Sequence, residues 1–297
     1  MRKTVLLHPG FHKTGTTTLQ RGLWGRRRAL RGQLDMLILK DIRPVSLCAR
    51  TCSTDPTPGK LTNLAAAMAS VLASRDVADP RPLFISSEAL AGQIPGRNGF
   101  QSYAQAPDML EKVVDAIHRH YRNQADIRVW FTTRDPESWR RSVYFQNVRT
   151  VRVTEGFESF GAKLAQAPHL DQIVCCVRAR LAGKAQVVSS SLEGGEAHAL
   201  GLMGEVFDLL GVVSQDASPP IHQNLQDGDL MAALLKLNRS ALCDADVSAA
   251  KNDLLTWHRK RCQQLTAQSQ RTLTPEIQDP WALAARSPDH LSDGPYR

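Results

Sequence analysis

The chain contains no run approaching the roughly twenty consecutive apolar residues that a membrane-crossing helix needs. Its first residues enter a strand pattern almost at once and Lys13 interrupts any apolar core of a leader, so no signal peptide is expected. Aromatic residues are scarce, at 6% of 297, which leaves no stacking-rich surface for nucleic acid. The formal charge of +8 comes without a recognised nucleic-acid motif, and a multiply charged cofactor or an acidic acceptor accounts for it equally well. The six cysteines include no Cys-x-x-Cys pair, and a reduced chain of this length needs no disulfides to hold its core. A zinc site at Cys48 and Cys52, completed by histidines from elsewhere, is the alternative use of that pair. These absences together point to a cytoplasmic protein with no resident metal, no integral membrane segment and no nucleic-acid partner. They do not indicate an oligomeric state.

Hydrophobic residues make up 42% of the chain and charged residues 22%, ordinary values for a globular protein with a full core. Apolar runs alternate with helical patterns, which predicts an α/β fold: a mainly parallel sheet covered by helices on both faces, three layers in all. Strands are expected at 5–7, 83–85, 127–131 and 185–188. Helices are expected at 16–31, 61–73, 107–120, 137–148, 157–164, 170–181, from about 196 to 210 and at 230–237. Residues 43–60, with their prolines and cysteines, read as a long irregular connection, and 92–103 as a loop bordering a pocket. There is no internal repeat. The pattern divides the chain into one domain, 1–271, and a proline-rich polar tail, 272–297.

Two segments carry chemistry. The first is His12-Lys13-Thr14-Gly15-Thr16-Thr17-Thr18, which follows a strand and opens a helix. A glycine turn there aims backbone N–H groups and a helix N-terminus at one point, the usual way to hold a phosphate-like anion. Gly10 and Gly15 have the Walker A spacing, but Thr16 stands where the Walker lysine belongs and Lys13 lies two residues before Gly15. The second is Thr132-Thr133-Arg134-Asp135-Pro136, a strand-to-helix turn followed by Ser142 on the helix. A planar guanidinium suits bidentate binding of a phosphate, and a hydroxyl adds a directional donor.

Lys13-Thr14-Gly15-Thr16-Thr17 resembles the 5′-phosphosulfate loop of sulfotransferases that use 3′-phosphoadenosine 5′-phosphosulfate (PAPS), and Arg134, Pro136 and Ser142 have the spacing of that family's 3′-phosphate grip. Weaker likenesses lie at Leu209-Leu210-Gly211 and at His222-Gln223-Asn224-Leu225. The resemblance implies a P-loop nucleoside-triphosphate-hydrolase-like sulfotransferase fold, PAPS as donor, 3′-phosphoadenosine 5′-phosphate (PAP) as product and no required metal. It implies that Lys13, Thr14, Gly15, Thr16, Thr17 and Thr18 hold the phosphosulfate, that Lys13 stabilises the leaving oxygen, and that Arg134 and Ser142 hold the 3′-phosphate. It implies as acceptor a hydroxyl or amine, of a glycan or glycolipid in the carbohydrate-type branch, where a glutamate base commonly follows the second strand; Glu88 is that residue here. His12, and after it His8, are the alternative bases. Two departures stand out: Thr18 replaces the tryptophan of the small-molecule branch, and that branch's late Arg-Lys-Gly segment is absent. Two other classes fit less of the pattern. A nucleotide kinase or NTPase would need magnesium and a Walker lysine, and a noncatalytic basic binding module would have no use for two separate anion grips.

Overall fold

The computed structural model describes residues 2–97, 99–193, 198–213 and 228–273. Five strands form one parallel sheet: β1 (Lys3–His8), β2 (Asp35–Ile38), β3 (Leu83–Ser86), β4 (Ala125–Thr133) and β5 (Gln186–Ser191). Their spatial order is β2-β3-β1-β4-β5. Val5 pairs with Leu83 on one side and Ile127 on the other, so β1 is the central strand. Its Val-Leu-Leu run is apolar throughout because a strand in the middle of a covered parallel sheet has no wet face.

The covering helices of this first compact unit, residues 1–239, are α1 (Thr16–Leu30), α2 (Arg43–Thr54), α3 (Pro58–Leu72), α4 (Ala106–His120), α5 (Pro136–Thr150), α6 (Phe157–Ala165), α7 (Leu170–Arg180), α8 (Leu202–Leu210) and α9 (Gly228–Asn238). Leu19 and Leu23 of α1 and Met203, Val206 and Phe207 of α8 pack on Leu6, Phe84 and Trp130, one face of the sheet. Helices α3, α4 and α7 pack in sequence on the other face, against β4 through α4 and α7. The expected three-layer α/β arrangement is therefore present. A second compact unit, residues 240–297, contains α10 (Asp244–Leu273).

Two expectations are corrected. Residues 43–60 are not an irregular connection: they hold all of α2 and the start of α3. Pro44 and Pro58 sit in the first turns, where a missing N–H costs nothing, and Val45, Ala49 and Cys52 recur at helical spacing as the buried face. Cys48 and Cys52 are accordingly one helical turn apart. An additional strand, β2, occupies residues 35–38 at the sheet edge; four residues are too few to show a period, and β3 rather than β2 is the strand expected at 83–85. The His222–Leu225 segment and most of the proposed tail lie outside the described residues.

Candidate functional site

In a parallel sheet all strands end on the same side, and connections leaving a central strand in opposite directions open a crevice there. Here β1 lies between β3 and β4, so the loop after it, residues 9–15, is flanked by the end of β3 at Ser86-Ser87-Glu88 and the end of β4 at Thr132-Thr133-Arg134. The loop's path depends on two glycines. Gly10 has φ +57°, and a Cβ there would lie 2.7 Å from Thr16 Oγ1; Gly15 has φ +89°, and a Cβ would lie 2.7 Å from Leu202 Cδ1. Lys13 is also left-handed, with φ +72°, a conformation a side-chain-bearing residue keeps only when its surroundings hold it. The holders are identifiable. Trp139 Nε1 donates to the His12 carbonyl at 3.0 Å, and Arg134 Nη1 donates to the Lys13 carbonyl at 3.3 Å.

Gly15 is the N-cap of α1 and supplies no side-chain acceptor, and the first turn holds no acidic residue. The N–H groups that open the helix thus find no acceptor in a capping side chain and face no acidic residue of their own first turn. Thr14 does not offer its hydroxyl to that anion: Oγ1 donates to the Phe11 carbonyl at 2.8 Å and meets Thr132 Oγ1 at 2.8 Å, both buried, so it ties the loop to β4. Thr16 is buried with Oγ1 3.5 Å from the same carbonyl, Thr17 is exposed and Thr18 half-buried. The Lys13 ammonium makes no hydrogen bond or ion pair among the described residues. Burial lowers its pKa, the charges of Arg149 and Arg134 lower it further, and Glu88 opposes them.

On the β3 side, His12 Nε2 lies 3.7 Å from Glu88 Oε1. The ring is set by Tyr103, a fully buried phenol whose oxygen is 3.1 Å from both the His12 backbone N and its Nδ1. That oxygen accepts the backbone N–H, and its own proton is left to donate to Nδ1. Burial holds the Tyr103 phenol well above its ordinary range, so that proton stays. With Nδ1 accepting from the phenol, the neutral imidazole carries its hydrogen on Nε2, the nitrogen 3.7 Å from Glu88. Burial is also the main cause that lowers the His12 pKa, against the opposing charge of Glu88. His8 belongs to the core: its ring contacts Ser86 Oγ at 2.9 Å and Thr132 Oγ1 at 3.4 Å, and burial pushes its pKa down to about 3.

On the β4 side, Pro136 opens α5 and Asp135 caps it by accepting from the Ser138 N–H at 2.8 Å. Arg134 Nε is buried without a hydrogen-bond partner, with the Glu193 carboxylate 3.7 Å away at the end of β5. Ser142 is buried on α5, and its hydroxyl has no partner among the described residues. The structure thus gathers His12, Lys13, Glu88 and Arg134 around one loop, while no hydrogen bond links the Ser142 hydroxyl to them among the described residues. Sequence reasoning gave no role in the site to Tyr103, Trp139, Thr132 or Glu193. Only position could have flagged them: Trp139 opens the helix after Arg134, and Tyr103 closes the loop expected to border a pocket. Among the described residues no three His, Cys, Asp or Glu side chains converge as a metal site.

No family model matches the chain, and no curated protein matches it. Two solved structures do. The PezAT chromosomal toxin–antitoxin system of Streptococcus pneumoniae matches over 84% of this chain and 87% of that chain, with 10% identity and a TM-score of 0.34. A sulfotransferase from Alicyclobacillus acidocaldarius matches over 80% of this chain and 93% of its own, with 14% identity and a TM-score of 0.42. Neither likeness is close enough to bear on the chemistry of the site, and what both chains share with this one is at most an arrangement of backbone.

Proposed function

We propose that this chain is a sulfotransferase that moves a sulfuryl group from PAPS to a hydroxyl or amine of a carbohydrate or glycoconjugate acceptor. The observation that carries the reading is an uncapped helix N-terminus with two cationic groups beside it. Among the described residues the Lys13 ammonium has no hydrogen bond or ion pair, and the buried Arg134 Nε makes no hydrogen bond and has only the Glu193 carboxylate, 3.7 Å away, as counter-charge. An anion with charge at two separated places would satisfy both, and PAPS has a phosphosulfate at one end and a 3′-phosphate at the other. The N–H groups from Thr14 to Thr18 would hold the phosphosulfate, and Arg134 with the Ser142 hydroxyl the 3′-phosphate. The donor supplies an activated sulfuryl group, and the residues of this chain do the rest.

The acceptor oxygen forms a bond to sulfur as the bond from sulfur to the bridging phosphate oxygen breaks. The acceptor's proton passes to the Glu88 carboxylate, which the His12 Nε2–H faces and orients. The electron pair of the breaking bond stays on the phosphate of PAP, where the Lys13 ammonium meets the growing charge. Lys13 is well suited to this because few protein partners compete for it. In this reading residues 1–271 are the catalytic domain and 272–297 an appended tail.

Calorimetric titration of the full-length chain tests the proposal against a kinase or NTPase. PAP should bind without a divalent metal, and more weakly as salt is raised, since ion pairs supply part of the affinity. Magnesium-dependent binding of ATP in preference to PAP would overturn it, and binding of neither would favour a noncatalytic module.

A further inference from the structure

His8 takes no part in the transfer chemistry, yet it stands at the centre of an unbroken chain of side-chain hydrogen bonds beneath the loop. On the α1 face of the sheet, Leu6, Phe84 and Trp130 form a row of the apolar core. Two residues further along the same strands, on the same face, stand His8, Ser86 and Thr132, all fully buried. Gln20 of α1 donates from Nε2 to Ser86 Oγ at 3.0 Å, and Ser86 Oγ lies 2.9 Å from His8 Nδ1. His8 Nε2 lies 3.4 Å from Thr132 Oγ1, which lies 2.8 Å from Thr14 Oγ1. The chain thus leaves α1, crosses β3, β1 and β4, and returns to the loop that precedes α1.

Each hydroxyl has one proton, and that fixes the direction of every link. The Thr14 hydroxyl donates to the Phe11 carbonyl, 2.8 Å away, so Thr132 must donate to Thr14. Thr132 Oγ1 then accepts from His8 Nε2, which carries the imidazole hydrogen. Burial keeps the ring neutral, so Nδ1 is bare and accepts from the Ser86 hydroxyl. Ser86 Oγ in turn accepts from Gln20. A buried network whose protons all have acceptors rigidifies what it joins. At one end it joins Thr14, next to Lys13, whose left-handed backbone needs its surroundings to hold it. At the other it joins Ser86, and the Ser87 N–H that follows donates to the His8 carbonyl at 3.2 Å, one residue before Glu88.

We infer that His8 is a positioning residue: as the Nε2–H tautomer it orders, through Thr132 and Thr14, the loop whose N–H groups hold the 5′-phosphate end of the donor. This rests on the sulfuryl-transfer reading and adds to it a residue that touches neither substrate nor reacting atoms. An apolar side chain at position 8 would continue the row of Leu6, Phe84 and Trp130, but it would leave Thr132 Oγ1 and the Ser86 hydroxyl without their partner. Misplacing a binding group by about 1 Å can cost on the order of a hundredfold, so a buried imidazole with no access to the donor can still govern how the donor is held.

The test is calorimetric titration of the full-length chain with PAP and with adenosine 3′-phosphate, which lacks the 5′-phosphate. Thr132→Val keeps the shape of the side chain but removes the hydroxyl that joins His8 to Thr14, whereas Thr132→Ser keeps the hydroxyl and loses a methyl group. Thr132→Val should bind PAP about tenfold more weakly and adenosine 3′-phosphate within about twofold of the native protein; Thr132→Ser should bind PAP within about threefold. A general loss of stability would weaken both nucleotides alike and would not spare Thr132→Ser. Equal losses in the two variants, equal losses for the two nucleotides, or a PAP affinity unmoved by Thr132→Val would overturn the proposal. Long-range nitrogen–proton NMR of the native protein should find the His8 hydrogen on Nε2; a hydrogen on Nδ1 would overturn it as well, whether or not Thr132→Val folds. Failure of PAP to bind the native protein would instead overturn the sulfuryl-transfer reading, so the two failures are distinguishable.

Discussion

Removing the Tyr103 hydroxyl tests the hydrogen-bond logic at the centre of the site. In Tyr103→Phe the ring still fills its space between Phe11 and His12, but the acceptor of the His12 backbone N–H and the donor to Nδ1, each 3.1 Å away, both vanish. A buried donor left without a partner costs about 1–3 kcal/mol. In a folded unit of this size each kcal/mol lowers Tm by about 2–4 °C, so the variant should melt roughly 3–10 °C lower. The more specific readout is the imidazole. In the native protein, long-range nitrogen–proton NMR at neutral pH should find His12 neutral with its hydrogen on Nε2. In the variant nothing holds Nδ1 as an acceptor, and the tautomers should mix. A native His12 with its hydrogen on Nδ1, or a Tm shift below about 1 °C, would refute the reasoning.

Lys13→Ala should chiefly slow turnover, while Arg134→Ala should chiefly weaken PAP binding, because only the lysine contact strengthens as charge develops on the leaving oxygen; unchanged PAP affinity in Arg134→Ala would remove the 3′-phosphate assignment. Glu88→Gln should keep the fold and PAP affinity but lose on the order of a hundredfold in transfer, the usual contribution of a general base; near-normal rates would shift the role to His12. Acid should destabilise the fold through His8, whose pKa falls from 6.5 to about 3 on burial. Because the folded-state value is the lower one, the unfolded chain binds the extra proton between those two pH values. Stability is therefore fully present above about pH 6.5 and declines as pH falls toward 3, by about 2 kcal/mol at pH 5. Urea unfolding of native and His8→Asn protein at pH 7, 6 and 5 should show a shallower decline in the variant, and parallel lines would contradict the burial argument.

Much of the architecture and the core of the site were legible in the amino-acid order because they are local. The strand at β1, the glycines that turn the loop, the lysine inside it and the proline that opens α5 each lie within a few residues of one another, and each obeys a short-range rule of backbone or side-chain chemistry. The misread segments failed for equally local reasons. Prolines in the first turns of α2 and α3 look like breakers when the helix behind them is not recognised, and a four-residue edge strand carries no readable period.

What only the tertiary structure decided is which distant residues meet. Tyr103 and His12 are separated by 91 residues, Trp139 and His12 by 127, and Thr14 and Thr132 by 118. No spacing rule links such pairs; the parallel sheet does, by bringing the ends of β1, β3 and β4 to one edge. The same convergence sets Glu88, the acid singled out at a strand end, within 3.7 Å of His12. Backbone turns and helix starts are determined over a few residues, where sterics and a single hydrogen bond suffice. Charges and tautomers depend on burial and on partners across the fold, and those exist only after the chain has closed on itself.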